Sequence, residues 1–229
     1  MLGAIIGDII GNRERILKGN ELLLDVLGRS FESTQEQLDY ALHGLLKLSG
    51  SQYGYIYFYN EEKEEFILNS WTQGVMEECS VHGEPKIYQL ANTGIWGEVV
   101  RQRKPIIVND FNTPNPLKKG YPKGHVALKR FMSVPVIIDD KIVAVVGFGN
   151  KQTDYNDTDV YEMTVLMSGV WNAVQRRESV ETLAYERNKY LQTLLSIGDG
   201  VIVIDRNKNI EMLNEVACRL TGWRLEEAT

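Results

Sequence analysis

The chain has 229 residues, 43% of them hydrophobic and 24% charged, a globular composition with room for one full domain and flanking pieces. A formal charge of −6 argues against nucleic acid as a partner, and the two cysteines, Cys79 and Cys218, are too far apart to frame a disulfide scaffold, which suits a reducing, cytoplasmic setting. The opening MLGAIIGDIIG is apolar but carries Asp8, is too short for a bilayer and lacks a basic leader, so no direct membrane contact is expected from it.

Residues 1–12 read as a strand, followed by a helix over Arg13 to Gly28 with Ile16, Leu23 and Val26 on one stripe. Ser33 or Thr34 should cap a second helix, with Glu36 in its first turn. Its buried side is Leu38, Ala41, Leu42, Leu45, Leu46 and Leu48, and Gly50 ends it. From Gln52 to Tyr59, tyrosines 53, 55, 57 and 59 alternate with Gly54, Ile56 and Phe58, a strand with two usable faces. A polar turn, Asn60 to Glu64, returns it through Glu65 to Trp71 as a hairpin. An irregular stretch over 72–85 and a strand from Lys86 to Leu90 come next.

The stretch TGIWGEVVRQRKPIIVND, Thr93 to Asp110, then sets Trp96 between Gly94 and Gly97. A turn and a half of amphipathic helix follows, and then a short strand, Pro105 to Val108. Phe131–Ile138 and Lys141–Gly149 form a second hairpin around a tight turn at Asp139–Asp140. The apolar run Ile142–Val146 predicts a strand covered on both faces. A long helix runs from Asp157 to about Ser196. Met163, Leu166, Val170, Ala173, Arg177, Val180, Ala184, Arg187, Leu191 and Leu194 recur along it at alternating three-four spacing. That spacing reads as a coiled-coil seam and not as a buried globular helix, and it predicts a parallel homodimer.

Four stretches, TGIWGEVVRQRKPIIVND, NPLKKGYPKGH, SVPVIIDDKIVAVVGFGNK and YNDTDV, resemble the GAF family of small-molecule sensory domains. The resemblance implies an α+β fold: a six-stranded antiparallel sheet with helices on both faces and a long C-terminal signalling helix. GDIIGNRER near the start is similar to the tail of a PAS domain. LLSIGDGVIVIDRNKNIEMLNEVACRLTGWRLEEA resembles the first third of one, through Asp199, Gly200, Asp205, Ile210, Asn214, Ala217, Leu220, Gly222 and Trp223. Asn209 stands where that family has a turn glycine, and asparagine tolerates the left-handed conformation. The expected organisation is therefore a PAS-like end with a linker helix over 1–31, a GAF core over 32–156, a coiled-coil signalling helix over 157–196 and the start of a truncated PAS domain over 197–229.

The loop from Asn109 to Arg130 carries five basic residues and one acid, so it is +4 while the remainder is −10. In a GAF fold such a loop helps to enclose a small-molecule pocket, and the resemblance places Trp96, Asp110, Lys118, Lys119, Tyr121, His125 and Arg130 near it as ligand-binding candidates for a small anionic ligand. The plainer reading leaves the lysines solvated and the glycines and prolines as turn formers. Asn150, Lys151, Tyr155 and Asp159 partly match the signature of cyclic-nucleotide-binding members. That match implies a structural Lys151–Asp159 ion pair, worth about 0–1 kcal/mol if exposed. Cys79, His82 and His125 could offer ligands to zinc or haem, but three such residues without a fourth predict no metal site. Cys79 is followed by Ser80 and not by the histidine of bilin-binding members, and methionine-sulfoxide-reducing members use several cysteines where this domain has one. No cofactor is named and no enzyme chemistry is expected of the fragment. The expected function is sensory input to a histidine kinase or diguanylate cyclase; the alternative is a scaffold that binds nothing and only sets dimer geometry.

Overall fold

The computed structural model describes residues 2–72, 87–119 and 126–224, with side chains from Gly11 onward except that of Asn12. The chain divides into two compact units, residues 1–174 and 175–229. In the first unit, helices α1 (Leu2–Gly28) and α2 (Thr34–Ser49) precede strands β1 (Tyr53–Asn60), β2 (Glu65–Trp71) and β3 (Ile87–Gln89). A short helix α3 (Glu98–Arg101) leads to β4 (Ile106–Val108), β5 (Phe131–Ile138) and β6 (Lys141–Gly149). Helix α4 (Asp157–Ser196) begins in this unit. All strands pair antiparallel, in the order β3-β2-β1-β6-β5-β4.

Each start and stop has a local cause. Ser33 caps α2 by accepting from the Glu36 amide at 3.1 Å, and Gly50 ends it in the left-handed conformation at φ 66°. Asp139 and Asp140 both take positive φ, 47° and 60°, the geometry of the tight turn whose twist suits a two-residue hairpin. Asn156 and Asp159 cap α4 reciprocally: each side chain accepts from the other's amide, at 3.0 and 3.1 Å.

Alternation along the strands divides the core into two layers. Ile56, Met132, Val134, Ala144, Val146 and Phe148 face one way and pack with Leu38, Leu42 and Leu45 of α2 and with Met163, Met167 and Val170 of α4. Tyr57, Tyr59, Phe66, Ile142 and Val145 face the other way, against Leu90 and against Val99 and Val100 of α3. The apolar run in β6 is thus covered on both faces, as its composition predicts. Helix α1 seats Leu22 where a Cβ on Gly44 would lie 2.3 Å from it, and Leu23 in the equivalent notch at Gly169, 2.8 Å away.

Two expectations are corrected here. Residues 2–12 are the start of helix α1 and not a strand. Ile5 with Ile9, and Ile6 with Ile10, recur every four residues, a helical period that the density of β-branched side chains disguises. The stripe along α4 is also not an intermolecular seam throughout. Met163, Leu166, Val170 and Ala173 are buried in the domain's own core. A three-four repeat serves a helix packed on a sheet as well as one packed on a second helix.

In the second unit, β7 (Ile202–Ile204) and β8 (Ile210–Leu213) form a hairpin, followed by helix α5 (Glu215–Thr221). Asp205 Oδ1 accepts the amides of Asn207 and Asn209, at 2.7 and 2.8 Å, and closes the turn. The left-handed residue there is Lys208, φ 72°, and not Asn209, which corrects the expectation. Asn214 caps α5 through Ala217 N at 2.8 Å, accepts from Val201 N and donates to Asp199 O. Along residues 175–196, Val180 and Leu183 are exposed, at 59% and 66%.

Candidate functional site

A cavity of about 340 Å³ opens on the β1–β5–β6 face of the sheet opposite α1, α2 and α4. Tyr53, Tyr55 and Tyr57 come from β1, Tyr88 from β3 and Phe131 from β5, while Trp96 stands in the turn between the strands. The tyrosine alternation places these rings on one face, because successive strand residues point to opposite sides. Trp96 lies 5.5 Å from Tyr57, 4.7 Å from Phe66 and 5.9 Å from Tyr88, centroid to centroid. Such tilted and edge-on rings form a rigid wall.

The floor holds an irregularity. The ring of Tyr55 lies across Gly147 on the neighbouring strand: a Cβ at Gly147 would fall 2.1 Å from Tyr55 Cζ. The hydroxyl at the far end is buried beside Ser133, whose Oγ is buried as well. Burial drives the Tyr55 phenol well above its ordinary value, with Ser133 moderating the rise, so the group stays neutral. Tyr57 is raised in the same direction, first by burial and then by Tyr88 and Tyr55.

The turn over the cavity is organised by Arg101, a residue with no motif to announce it. Its guanidinium donates to Leu90 O at 2.6 Å, Thr93 O at 3.0 Å and Thr93 Oγ1 at 3.0 Å, and pairs with Glu98 at 2.7 Å. Asn109 was likewise silent in the sequence, whereas Asn150 belongs to the partial signature with Lys151, Tyr155 and Asp159. Asn109 brackets the main chain of Tyr155, and Asn150 Oδ1 accepts from Lys129 N at 2.7 Å while its amide donates to Ala127 O. Asn150 itself has φ 57°, which asparagine tolerates.

The ligand-binding candidates part company. Trp96, Lys118 and Lys119 line the cavity. Lys118 Nζ donates to the carbonyls of Phe111 and Thr113 and stands 4.3 Å from the Phe111 ring centroid; Lys119 Nζ donates to Ala91 O at 2.8 Å. The amines therefore tie the loop to itself and to the 90–97 turn. Asp110 lies outside the lining, with Thr113 Oγ1 and the Asn112 amide on its carboxylate; these hydrogen bonds hold it below the usual aspartate range. Arg130 also lies outside, with Nε on Asp154 at 2.8 Å. Tyr121 and His125 fall outside the described residues, as do Cys79 and His82. Among the described residues no group of three or more His, Cys, Asp and Glu could hold a metal, and no helix is long and apolar enough to cross a membrane.

At the edge of the site, Lys151 Nζ donates to both oxygens of Asp159, at 2.8 and 2.6 Å. Arg15 of α1 joins them, 2.9 Å from Asp159 and 2.5 Å from Glu162. Asp159 has no solvent exposure. Burial raises its carboxyl, but the Lys151 and Arg15 hydrogen bonds and the Asn156 amide outweigh that and hold it below the ordinary aspartate value. The pair is buried, so the small stabilisation expected of an exposed pair does not apply.

Residues 32–175 match the family model of the GAF domain, and residues 188–229 match that of the PAS domain. A methyl sulfide methyltransferase-associated sensor of Methanosarcina acetivorans is 45% identical over 151 residues, which are 66% of this chain and 15% of that protein. The chain thus spans a small part of that relative's length. Among solved structures, the GAF domain of a phosphoenolpyruvate-protein phosphotransferase from Coxiella burnetii has a TM-score of 0.61 at 11% identity, covering 75% of this chain and 98% of that one. The free methionine-R-sulfoxide reductase from Neisseria meningitidis, in complex with its substrate, has a TM-score of 0.54 at 12% identity, covering 71% and 91%. At such identities the likeness is one of fold.

Proposed function

Because the chain belongs to the GAF domain family, we propose that it is the non-catalytic sensory input of a cytoplasmic signalling protein, a sensor histidine kinase or a diguanylate cyclase, that binds a small molecule in the aromatic cavity. One observation carries this reading: the sheet face opposite the helices is not filled by side chains but leaves about 340 Å³. Pockets for small ligands start at about 300 Å³ and are mostly apolar with a few polar groups. The 45% identity to a protein named a sensor supports the same direction.

The relay follows from what the cavity is built of. The turn over it is tied to α3 by Arg101, and the loop beside it is held by Asn150, one residue before Lys151. Lys151 grips Asp159 in the first turn of α4. Occupancy that changes the order of the loop would shift the equilibrium of that junction and hence the start of α4. Residues 175–196 carry Val180 and Leu183 exposed, an apolar face available for a parallel homodimer through that half of the helix.

Native mass spectrometry of freshly purified protein tests the reading: a co-purified small molecule, lost when Trp96 is changed to Ala, is the expected result. A wild-type mass equal to the bare chain, together with no thermal shift from a metabolite screen, would hand the domain to the scaffold alternative.

A further inference from the structure

Helix α1 carries two apolar faces, and its own domain covers one of them. Arg15 pairs with Asp159 and Glu162 of α4, Leu166 of α4 lies over Gly19, and Leu22 and Leu23 fill the notches at Gly44 and Gly169. Val26, on the same side, is buried. The opposite side is open. Leu17, Leu24 and Leu27 are 54%, 69% and 54% exposed, and Ile16 at its margin is exposed as well. A single exposed leucine is ordinary, but an apolar stripe along one helix marks a contact surface.

The spacing gives the geometry of that contact. Leu17, Asn20, Leu24 and Leu27 follow one another at steps of three, four and three residues, and the same alternation runs back through Arg13, Ile10 and Ile6. All of these positions lie within α1. Such a repeat is the seam of a coiled coil, a line of knobs that faces a second helix. The stripe along the first half of α4 is taken up by the sheet, whereas Arg13, Leu17, Asn20, Leu24 and Leu27 are all exposed.

The polar residues identify the second helix. Asn20 stands inside the seam, where its amide is matched, donor to acceptor, by another amide at the same level. A parallel copy of α1 in register supplies that amide. An antiparallel copy centred on the same leucines sets Asn20 against Leu24 and brings the two Glu21 carboxylates together, while the parallel pair keeps those acids on opposite flanks. The acids Glu14, Glu21 and Asp25 on α1 also do not suit a lipid surface, which takes a basic polar face.

We propose that α1 is a dimerisation helix, pairing in parallel and in register with α1 of a second copy of this chain through Leu17, Asn20, Leu24 and Leu27. This seam is separate from residues 175–196 and stands whether or not that half of α4 pairs. Arg15 ties the same helix to Asp159, so a shift at the Lys151–Asp159 junction would also bear on the seam.

Sedimentation of the full chain tests the seam, with a dimeric wild type expected at micromolar concentration. Leu17→Glu/Leu24→Glu places charges in the seam and should raise the dissociation constant about a hundredfold or more. At dilution it should keep the melting temperature of the wild type, because both leucines are exposed in the single chain. A monomeric wild type, or an unchanged dimer in the double variant, overturns the proposal. Val180→Glu run beside it separates the two surfaces: a dimer lost there but intact in the double variant belongs to residues 175–196 and not to α1. Cysteines in a Cys79→Ser/Cys218→Ser background read the orientation. Leu17→Cys and Leu27→Cys should each cross-link to its own copy under mild oxidation, and Lys18→Cys, off the seam, should not. Cross-linking only when the two variants are mixed shows an antiparallel pair and overturns the register. With Asn20→Leu added, the mixed product should appear beside the parallel ones; its absence would overturn the role given to Asn20.

Discussion

Lys151 Nζ donates to both carboxylate oxygens of Asp159, and with them it fastens the end of β6 to the first turn of α4. Arg15 reaches the same carboxylate from α1, so three elements meet on one buried acid. Removing one partner of a buried pair leaves the other charge uncompensated, which costs about 3–5 kcal/mol. Asp159→Asn should lie near the lower end, about 3 kcal/mol, because Arg15 and Lys151 keep some contact with water. Chemical denaturation of the variant measures it. The pH dependence has a definite sign. A carboxyl held below its ordinary value stabilises fully above the unfolded aspartate pKa of about 3.9 and loses that contribution as pH falls through the lower folded value. The wild type should therefore lose stability more steeply than Asp159→Asn below about pH 4, and parallel acid titrations would contradict the assignment.

Two substitutions on one helix separate core from interface. Val170 has no exposure and belongs to the domain's buried core, so Val170→Glu buries an unpaired charge and should abolish cooperative unfolding in the monomer. Val180 is 59% exposed, and Val180→Glu should leave the melting transition within about 0.5 kcal/mol of wild type. Sedimentation then reads the proposed dimer, which should weaken in Val180→Glu. An unchanged dimer in that variant would exclude this half of the helix as the interface.

The same pair of residues shows what could be read in advance. Both fall on one three-four repeat, and periodicity reports an apolar stripe without saying whether a sheet or a second helix covers it. Strands were more legible: the alternation of Tyr53, Tyr55, Tyr57 and Tyr59 names a face, and its first three rings line the cavity. Trp96 between two glycines was legible for the same local reason. The basic loop was legible only as net charge, which does not reveal that Lys118 and Lys119 donate to carbonyls within reach. Arg101 and Asn109 act through contacts 7 to 46 residues apart and carry no local signature.

Gly147 tests the cavity floor by steric means. A Cβ there meets Tyr55 Cζ at 2.1 Å, far inside contact distance, so the ring must shift from the cavity floor. Gly147→Ala should cost about 1–3 kcal/mol, the usual range for overpacking. It should also reduce binding of any ligand that needs the floor. Thermal denaturation and a binding titration on the same sample report the two effects; a loss of stability with binding intact would mean that the ligand does not touch Tyr55.

Arg101 makes the last prediction, because it joins roof to cavity without lining it. Its Nη2 donates to the carbonyls of Leu90 and Thr93 and to the Thr93 hydroxyl, and its Nη1 pairs with Glu98. Gly97 permits that arrangement, since a Cβ there would sit 1.8 Å from Thr93 Oγ1. Arg101→Met keeps the aliphatic stem and removes every donor. Hydrogen bonds to a charged group contribute about 1.5–3 kcal/mol each, but the guanidinium is 31% exposed and water replaces part of what is lost, so the net cost should be about 1.5 kcal/mol. The loss should also be local. Amide hydrogen exchange is expected to quicken over residues 90–97 while β5 and β6 keep their protection, because the roof opens without the sheet. Uniform acceleration across the domain would show that Arg101 supports the fold as a whole, and unchanged exchange at 90–97 would show that the turn holds itself.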